Sequence, residues 1–203
     1  MAQSDFAKNI EIDKMQIEHT DVMTGDKDSN RFLYYQLKMS ILKAEKIDII
    51  VSFLMESGVR MILEDLKSAL NRGVQVRILT GNYLGITQPS ALCLIKKELG
   101  NRVDLRFYND KSRSFHPKSY IFHYENFEEI YIGSSNISRS ALTSGIEWNY
   151  RFNSLDDKKN FSLFSHNITK MSKCTIKSPV LNSLSSLSVS ATFPLRARSL
   201  RSL

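Results

Sequence analysis

The chain has only two cysteines among its 203 residues, and neither belongs to a C-x-x-C pair or has histidines nearby at metal-ligand spacing. Cys93 lies in the stretch SALCLIKKEL, where a small buried side chain is expected. No run approaches the roughly 18 apolar residues of a membrane span. The first twenty residues contain no apolar core of a secretory signal. We therefore expect a cytoplasmic protein without a metal site, a disulfide framework or a membrane partner.

Most of the chain also lacks an excess of positive charge, although the whole sequence has a formal net charge of +7 and a pI of about 9.4. Residues 1–150 contain 19 Lys and Arg against 19 Asp and Glu, whereas residues 151–203 contain 9 against 2. The charge alone therefore does not indicate nucleic-acid binding. From Ser178 onward there are eight serines in 26 residues and no acidic residue, so residues 176–203 are predicted to be a poorly ordered tail.

Helical and strand-like hydrophobic patterns alternate through the middle of the chain. Helices are predicted at 31–46 and 57–73 and between Pro89 and Gly100, and strands at 47–54, 74–80 and 103–109. Ser57 is a candidate N-cap for the second helix. The β-α-β-α-β order predicts an α/β fold with a mostly parallel sheet and helices on both faces. We assign residues 30–175 to one domain, preceded by an N-terminal segment at 1–29.

Shorter elements are predicted after residue 109. Two strands, at 118–124 and 129–132, are separated by a short link and predict an antiparallel hairpin. They are followed by a short helix at 136–142, a strand at 146–152 and a final helix at 156–171. There are no internal repeats, no GxxxxGK[ST] phosphate loop and no GxGxxG motif, so the common nucleotide-binding signatures are absent from the sequence.

The segment SFHPKSYIFHYENFEEIYIGSSN places chemically reactive groups at strand ends. Side chains alternate along a strand, so His116 and Lys118 are expected on one face and His123 on the other. The next strand ends in the polar turn Gly133–Asn136. Such turns and helix N-termini attract phosphate. Imidazole, ammonium, hydroxyl and amide groups that converge on one point suit a phosphate diester.

An H-x-K motif followed by G-S-x-N resembles the signature of the phospholipase D superfamily, the HKD phosphodiesterases. The stretches NRGVQVRILTGNYLGITQPSAL, FHPKSYIF and YIGSSNISRSALTSGIEWNYRF resemble one branch more closely. This branch is the nuclease-like domain found at the N-termini of bacterial superfamily 2 DEAD/DEAH-box helicases and in related restriction enzymes. The resemblance spans about residues 46–152. It implies a phospholipase D-like mixed sheet and a metal-independent, cofactor-free phosphodiesterase that acts on nucleic acid, with DNA as the expected substrate.

The resemblance also implies roles for individual residues. His116 would attack phosphorus and form a phosphohistidine, and Lys118 would hold the phosphate oxygens. Glu147 would orient the imidazole, since a carboxylate on one ring nitrogen fixes the tautomer and frees the other nitrogen to attack. The substrate-binding residues would be Ser134, Ser135 and Asn136.

Two features of the sequence leave alternatives open. His123 stands where the motif has an aspartate, which favours a non-catalytic DNA-binding or docking module of a helicase or restriction system. A phospholipid phosphatidyl transferase is the third possibility. The chain has one H-x-K motif although the family mechanism uses two histidines, so we expect a homodimer that shares His116 from two copies. We also expect Trp148 to be a core residue and Arg139 to be an exposed helix residue.

Overall fold

The computed structural model describes residues 21–27, 31–108 and 112–173, with no side-chain detail from 168 to 173. The predicted tail at 176–203 and most of the N-terminal segment at 1–29 lie outside these ranges. The strands are β1 (Val22–Met23), β2 (Lys46–Val51), β3 (Gln75–Thr80), β4 (Val103–Phe107), β5 (Lys118–His123), β6 (Glu128–Gly133) and β7 (Asn149–Asn153). The helices are α1 (Leu33–Lys43), α2 (Glu56–Asn71), α3 (Pro89–Leu99), α4 (Arg139–Thr143) and α5 (Lys158–Lys173). None of the helices in the described ranges has the length and apolar character that a membrane crossing requires.

The seven strands form one mixed sheet in the order β1-β7-β6-β5-β2-β3-β4. The prediction of an α/β fold with a mixed sheet is confirmed, but the prediction that the sheet is mostly parallel is wrong. Only the β2–β3 and β3–β4 pairs are parallel, and the other four pairs are antiparallel. The physical reason lies after β4, where the chain returns from the edge of the sheet to place β5 beside β2 in the opposite direction, and a short link then joins β5 to β6. A short link can join only antiparallel neighbours, as in the β5–β6 hairpin that the sequence predicts.

Helices cover both faces of the sheet, as predicted, but unequally. Tyr120 and Phe122 of β5 belong to the larger core, which contains buried side chains of α1 to α4. Ile121 points the opposite way and packs with Phe161 of α5 in a smaller core. The alternation along a single strand thus separates the two hydrophobic cores.

The N-terminus of α2 is fixed by tertiary contacts rather than by the predicted Ser57 cap. The helix begins at Glu56, whose backbone N–H donates to Gln88 Oε1 at 2.7 Å. Ser57 therefore lies inside the first turn, and its Oγ accepts from the Arg139 N–H at 3.4 Å. At Gly58 a Cβ atom would lie 2.5 Å from the backbone carbon of Ile137. Only glycine permits this close approach of α2 to the chain that follows β6.

Candidate functional site at one end of the sheet

The strand register brings the predicted site residues to one end of the sheet. Val51 of β2 pairs with both Thr80 of β3 and Lys118 of β5. On the other side of β5, the pairing of Ser119 with Ile132 sets the end of β6 beside the start of β5. The H-x-K motif and the polar turn after β6 therefore meet at the same sheet edge, although 16 positions separate Lys118 from Ser134.

The His116 ring lies directly against the Lys118 ammonium group. Lys118 Nζ is 2.9 Å from His116 Nδ1, 2.8 Å from Nε2 and 3.1 Å from the His116 carbonyl oxygen. His116 is exposed, whereas Lys118 is only 8% exposed. Ser52 fixes the backbone of Pro117, the residue between them, because its Oγ donates to the Pro117 carbonyl oxygen at 3.1 Å. The structure thus presents an accessible imidazole beside a buried, fixed cation.

The electrostatic surroundings favour the neutral form of the imidazole. Partial burial, followed by the positive charge of Lys118, lowers the pKa of His116. Burial also lowers the pKa of Lys118, although the negative charge of Glu147 works in the opposite direction. A neutral imidazole has a free lone pair, which is the form that a nucleophile or a general base requires.

A tyrosine that the sequence analysis did not select packs on the His116 ring. The ring centroids of Tyr83 and His116 are 4.1 Å apart, with an angle of 39° between the planes. Tyr83 opens the short turn after β3, where Leu84 has a φ of +52°, the sole positive value for a non-glycine residue within the described ranges. The loop also approaches the H-x-K segment at Gly81, where a Cβ atom would lie 2.8 Å from Cδ1 of Phe115. A single tyrosine in a glycine-rich loop belongs to no hydrophobic repeat, so the sequence pattern does not identify Tyr83 as a site residue.

The turn after β6 connects Ser134 to Glu147 and Trp148. The Ser134 hydroxyl donates to the Glu147 carboxylate and accepts from the Trp148 N–H at 3.0 Å. The Ser134 N–H donates to the Trp148 carbonyl oxygen, also at 3.0 Å. Glu147 therefore bonds to Ser134, and within the described ranges no hydrogen bond joins it to His116, the contact that the resemblance implies. The negative charge of Glu147 instead acts on Lys118 of the H-x-K motif, where it opposes the lowering of the Lys118 pKa by burial.

Ser135 and Asn136 face the protein interior to different degrees. Ser135 is fully buried, and its hydroxyl donates to the Ala141 carbonyl oxygen at 3.2 Å and accepts from Asn149 Nδ2 at 2.9 Å. Asn136 is also buried, and its Oδ1 accepts from the Phe53 N–H at 3.3 Å. The Ser135 hydroxyl is thus engaged in shaping the turn. Asn149 is a supporting residue that the sequence analysis missed.

The prediction that Trp148 is a core residue is wrong. It is 74% exposed, and its neighbour Ile146 is 86% exposed. The predicted strand at 146–152 begins only at Asn149, so both residues lie in the loop that precedes β7. The backbone of this loop is bound to Ser134, which directs the chain along the site instead of into the core.

His123, which stands where the motif has an aspartate, lies on the opposite face of the sheet from Lys118, as strand alternation predicts. His123 Nε2 is 3.0 Å from Asp48 Oδ2, and Nδ1 contacts Glu128. Asp48 is 2% exposed and also accepts from Arg77 Nε at 2.6 Å. Burial would raise the pKa of Asp48, but the hydrogen bond from His123 and the charges of Arg77 and Lys46 outweigh it and lower this pKa. His123 thus belongs to a partly exposed network of ionisable side chains around the buried Asp48.

Across the part of the chain that the structure describes, no group of three or more His, Cys, Asp and Glu side chains is placed to hold a metal ion.

The comparisons with known proteins agree with this geometry. The family model described as "Cardiolipin synthase, PLD-like domain" matches residues 37–171. No curated protein has a sequence that matches this chain.

Several solved structures share the fold. NucT from Helicobacter pylori is 20% identical, with a TM-score of 0.52, over 70% of this chain and 87% of that chain. The phospholipase D family member Nuc from Salmonella typhimurium is 19% identical, with a TM-score of 0.54, over 76% and 95%. Phosphatidylserine synthase from Haemophilus influenzae Rd KW20 is 13% identical, with a TM-score of 0.56, over 81% and 44%. Because the family match extends over well more than half of the sequence and the fold agrees with it, the chain belongs to the PLD-like domain family.

Proposed function

We propose that this protein is a metal-independent phosphodiesterase that cleaves nucleic acid, preferentially DNA, through a phosphohistidine intermediate. The observation that carries the proposal is the contact between the exposed His116 ring and the buried Lys118 ammonium group. A nucleophile and a fixed cation are the two groups that attack on a phosphate diester requires. The polar turn at Ser134 lies beside them and adds a hydroxyl group.

The proposed reaction has two balanced steps. In the first, a neutral ring nitrogen of His116 forms a bond to phosphorus, the bond from phosphorus to the leaving oxygen breaks, and a general acid gives that oxygen a proton. In the second, water attacks phosphorus, its proton passes to the same group, and the bond between nitrogen and phosphorus breaks. The lowered pKa of His116 supports its role as the attacking group, since the ring remains neutral at lower pH.

The other site residues would stabilise or position the reacting groups. Lys118 and the Asn136 amide are proposed to hold the phosphate oxygens as negative charge develops on them, and the exposed Ser134 hydroxyl would join them by turning its proton from Glu147 to the phosphate. Glu147 is proposed to position these groups, because it accepts the Ser134 hydroxyl and its charge acts on Lys118. Ser135 would act through the shape of the turn, since its hydroxyl is bonded inside the protein.

We further propose that a homodimer supplies the general acid. The chain has one H-x-K motif, and the leaving oxygen needs a proton donor on the side opposite to the nucleophile. His116 of the partner subunit would provide it if a two-fold axis passed between the two histidines and one of the pair carried a proton while the other stayed neutral.

Light scattering and subunit mixing test the dimer. The rate should fall as the square of the wild-type fraction when His116→Ala is mixed in. A linear fall, or a monomer that cleaves DNA, would contradict the shared site.

The position of His123 favours this proposal over a non-catalytic docking module. The residue that departs from the motif lies on the far side of the sheet, in an ion-pair network with Asp48, and leaves the groups around His116 in place. The resemblance to helicase-associated and restriction-associated domains leads us to propose such a protein as the cytoplasmic partner. Co-elution of this chain with a purified helicase or restriction subunit from a neighbouring gene would support it.

A substrate panel separates the proposed function from its alternatives. Labelled single-stranded DNA, duplex DNA, RNA and phosphatidylcholine should be incubated with the protein in excess EDTA. We expect cleavage of DNA, with a loss of about a thousandfold or more in His116→Ala. His166→Ala is the matched control, because His166 is an exposed histidine on α5. Cleavage of the phospholipid alone would favour the transferase, and no cleavage of any substrate would favour the docking module.

A further inference from the structure

Two aromatic side chains lie on opposite sides of the phosphate site. Tyr83 follows β3, and Trp148 precedes β7. In the sheet order, β5 and β6 lie between these two strands, and they carry His116, Lys118 and Ser134 at their ends. Each aromatic residue touches the group between them: the Tyr83 ring lies 4.1 Å from the His116 ring, and the Trp148 backbone bonds to Ser134.

Packing does not account for the position of the Trp148 ring. The indole is 74% exposed, whereas a large aromatic side chain normally gains stability by burial. Its backbone, in contrast, is held by two hydrogen bonds of 3.0 Å to Ser134. A rigid backbone that presents an exposed aromatic ring beside a binding site is the arrangement of a recognition surface.

Basic residues near the site favour a phosphate-rich ligand, although the carboxylate of Glu147 is also present. Lys118, which is buried, contacts His116, and two exposed basic residues, Arg113 and Arg139, lie three positions before His116 and three positions after Asn136 in the sequence. Basic side chains beside accessible aromatic rings are the combination by which proteins bind single-stranded nucleic acid, in which each base offers a free π face; here Trp148 is exposed and Tyr83 is half-buried.

We propose that Tyr83 and Trp148 are stacking platforms for the bases on either side of the phosphate held at His116, so that the substrate is a single-stranded segment. This inference rests on the proposed function, since it places a nucleic-acid phosphate at that histidine. In a duplex the bases are already stacked on one another and paired. The platforms therefore select unpaired strands, strand ends or loops.

Trp148 is the only tryptophan of the chain, so its fluorescence reports stacking directly. The full-length His116→Asn protein in EDTA should be titrated with a ten-nucleotide thymidine strand. The comparison ligands are an abasic strand of the same length and a ten-base-pair duplex. We expect saturable quenching by the thymidine strand and little quenching by either of the others, because the abasic strand offers phosphates without bases.

Substitutions measure the contribution of each ring. Tyr83→Ala and Trp148→Ala should each weaken binding of a dye-labelled thymidine strand by roughly 5- to 150-fold, the range for loss of one stacked base. Tyr83→Phe and Trp148→Phe keep an aromatic face and should retain most of the affinity. The control Leu163→Ala removes an exposed apolar side chain from α5, on the other face of the sheet, and should leave binding unchanged.

The outcomes separate this inference from the proposed function. If the wild type hydrolyses the base-free diester bis(p-nitrophenyl) phosphate but the thymidine strand causes no quenching, the stacking inference fails while the phosphodiesterase stands. If quenching occurs without hydrolysis of any diester, the phosphodiesterase fails. Two other results would overturn the stacking inference: a blue shift of Trp148 fluorescence with phosphatidylglycerol vesicles but no response to the strand, or a blue shift that depends only on protein concentration. The first would indicate a lipid surface, and the second an interface between copies.

Discussion

Replacement of Gly133 by alanine tests how the sheet positions the proposed phosphate site. Gly133 is the last residue of β6 and pairs with Asn149 of β7. A Cβ atom at this position would lie 2.5 Å from Asn149 Oδ1 and nearer still to the Trp148 carbonyl oxygen. Real Cβ atoms essentially never approach within 3.0 Å, so the Asn149 oxygen must move by at least 0.5 Å. The backbone oxygen of Trp148 must move farther, and Ser134 with it, since the two are bonded.

Both stability and activity should respond to this displacement. Overpacking of a close contact costs about 1–3 kcal/mol of the free energy of unfolding, which urea denaturation followed by circular dichroism will measure. A displacement of about 1 Å at a reacting group costs on the order of a hundredfold in rate, so DNA cleavage should fall by roughly one to two orders of magnitude.

A destabilised control separates these two effects. Gly73 follows α2 with a φ of +87° and open space around it. Gly73→Ala should therefore cost about 1 kcal/mol through backbone strain without moving the site, and its cleavage rate should match the wild type. If Gly133→Ala unfolds at the wild-type urea midpoint and cleaves within about threefold of the wild-type rate, the close contact between β6 and β7 does not hold the turn after β6 in position.

Three further predictions concern charges. Lys118→Met should move the NMR titration of His116 to higher pH, because the positive charge that helps to lower the pKa of the imidazole is removed; an unchanged or lower midpoint would contradict the contact. Asp48→Asn should destabilise the protein by up to about 3 kcal/mol near neutral pH, since the partly buried Arg77 and His123 lose the carboxylate that they contact. Because the pKa of Asp48 is lowered from 3.8 in the folded state, its contribution to stability is present above that value and is lost as the pH falls through the folded pKa. The difference in urea midpoint between Asp48→Asn and wild type should thus narrow in acid, and an equal difference at all pH values would refute the linkage. Glu147→Gln should reduce cleavage less than His116→Ala does, because an imidazole that is less well positioned can still attack; equal losses would give Glu147 a more direct role.

Strand periodicity in the sequence predicts the placement of the central groups. Alternation sets His116 and Lys118 on one face and His123 on the other, and in the structure His116 contacts Lys118 whereas His123 contacts Asp48. The antiparallel hairpin also follows from the sequence, because a short link leaves no room for a crossover. These features depend on neighbouring residues, which a local pattern describes well.

The remaining features depend on contacts between distant segments. The direction of β5 relative to β2 depends on how the chain returns after β4, and periodicity does not encode that path. Glu147 bonds to Ser134, and Ser135 turns inward to Asn149, because the loop before β7 lies along the turn after β6. Tyr83 and Trp148 lie in loops, where no hydrophobic period reveals which way a ring faces.

Detection of the covalent intermediate tests the central claim most directly. Protein mixed with DNA carrying a radiolabelled phosphate, in excess EDTA, should be quenched with alkali during turnover and digested for mass spectrometry. The proposed function predicts a nucleotide bound to His116 through an acid-labile, base-stable bond, absent from His116→Ala and retained in His166→Ala. An adduct on another residue, or cleavage that stops in EDTA and returns with magnesium without any adduct, would contradict it.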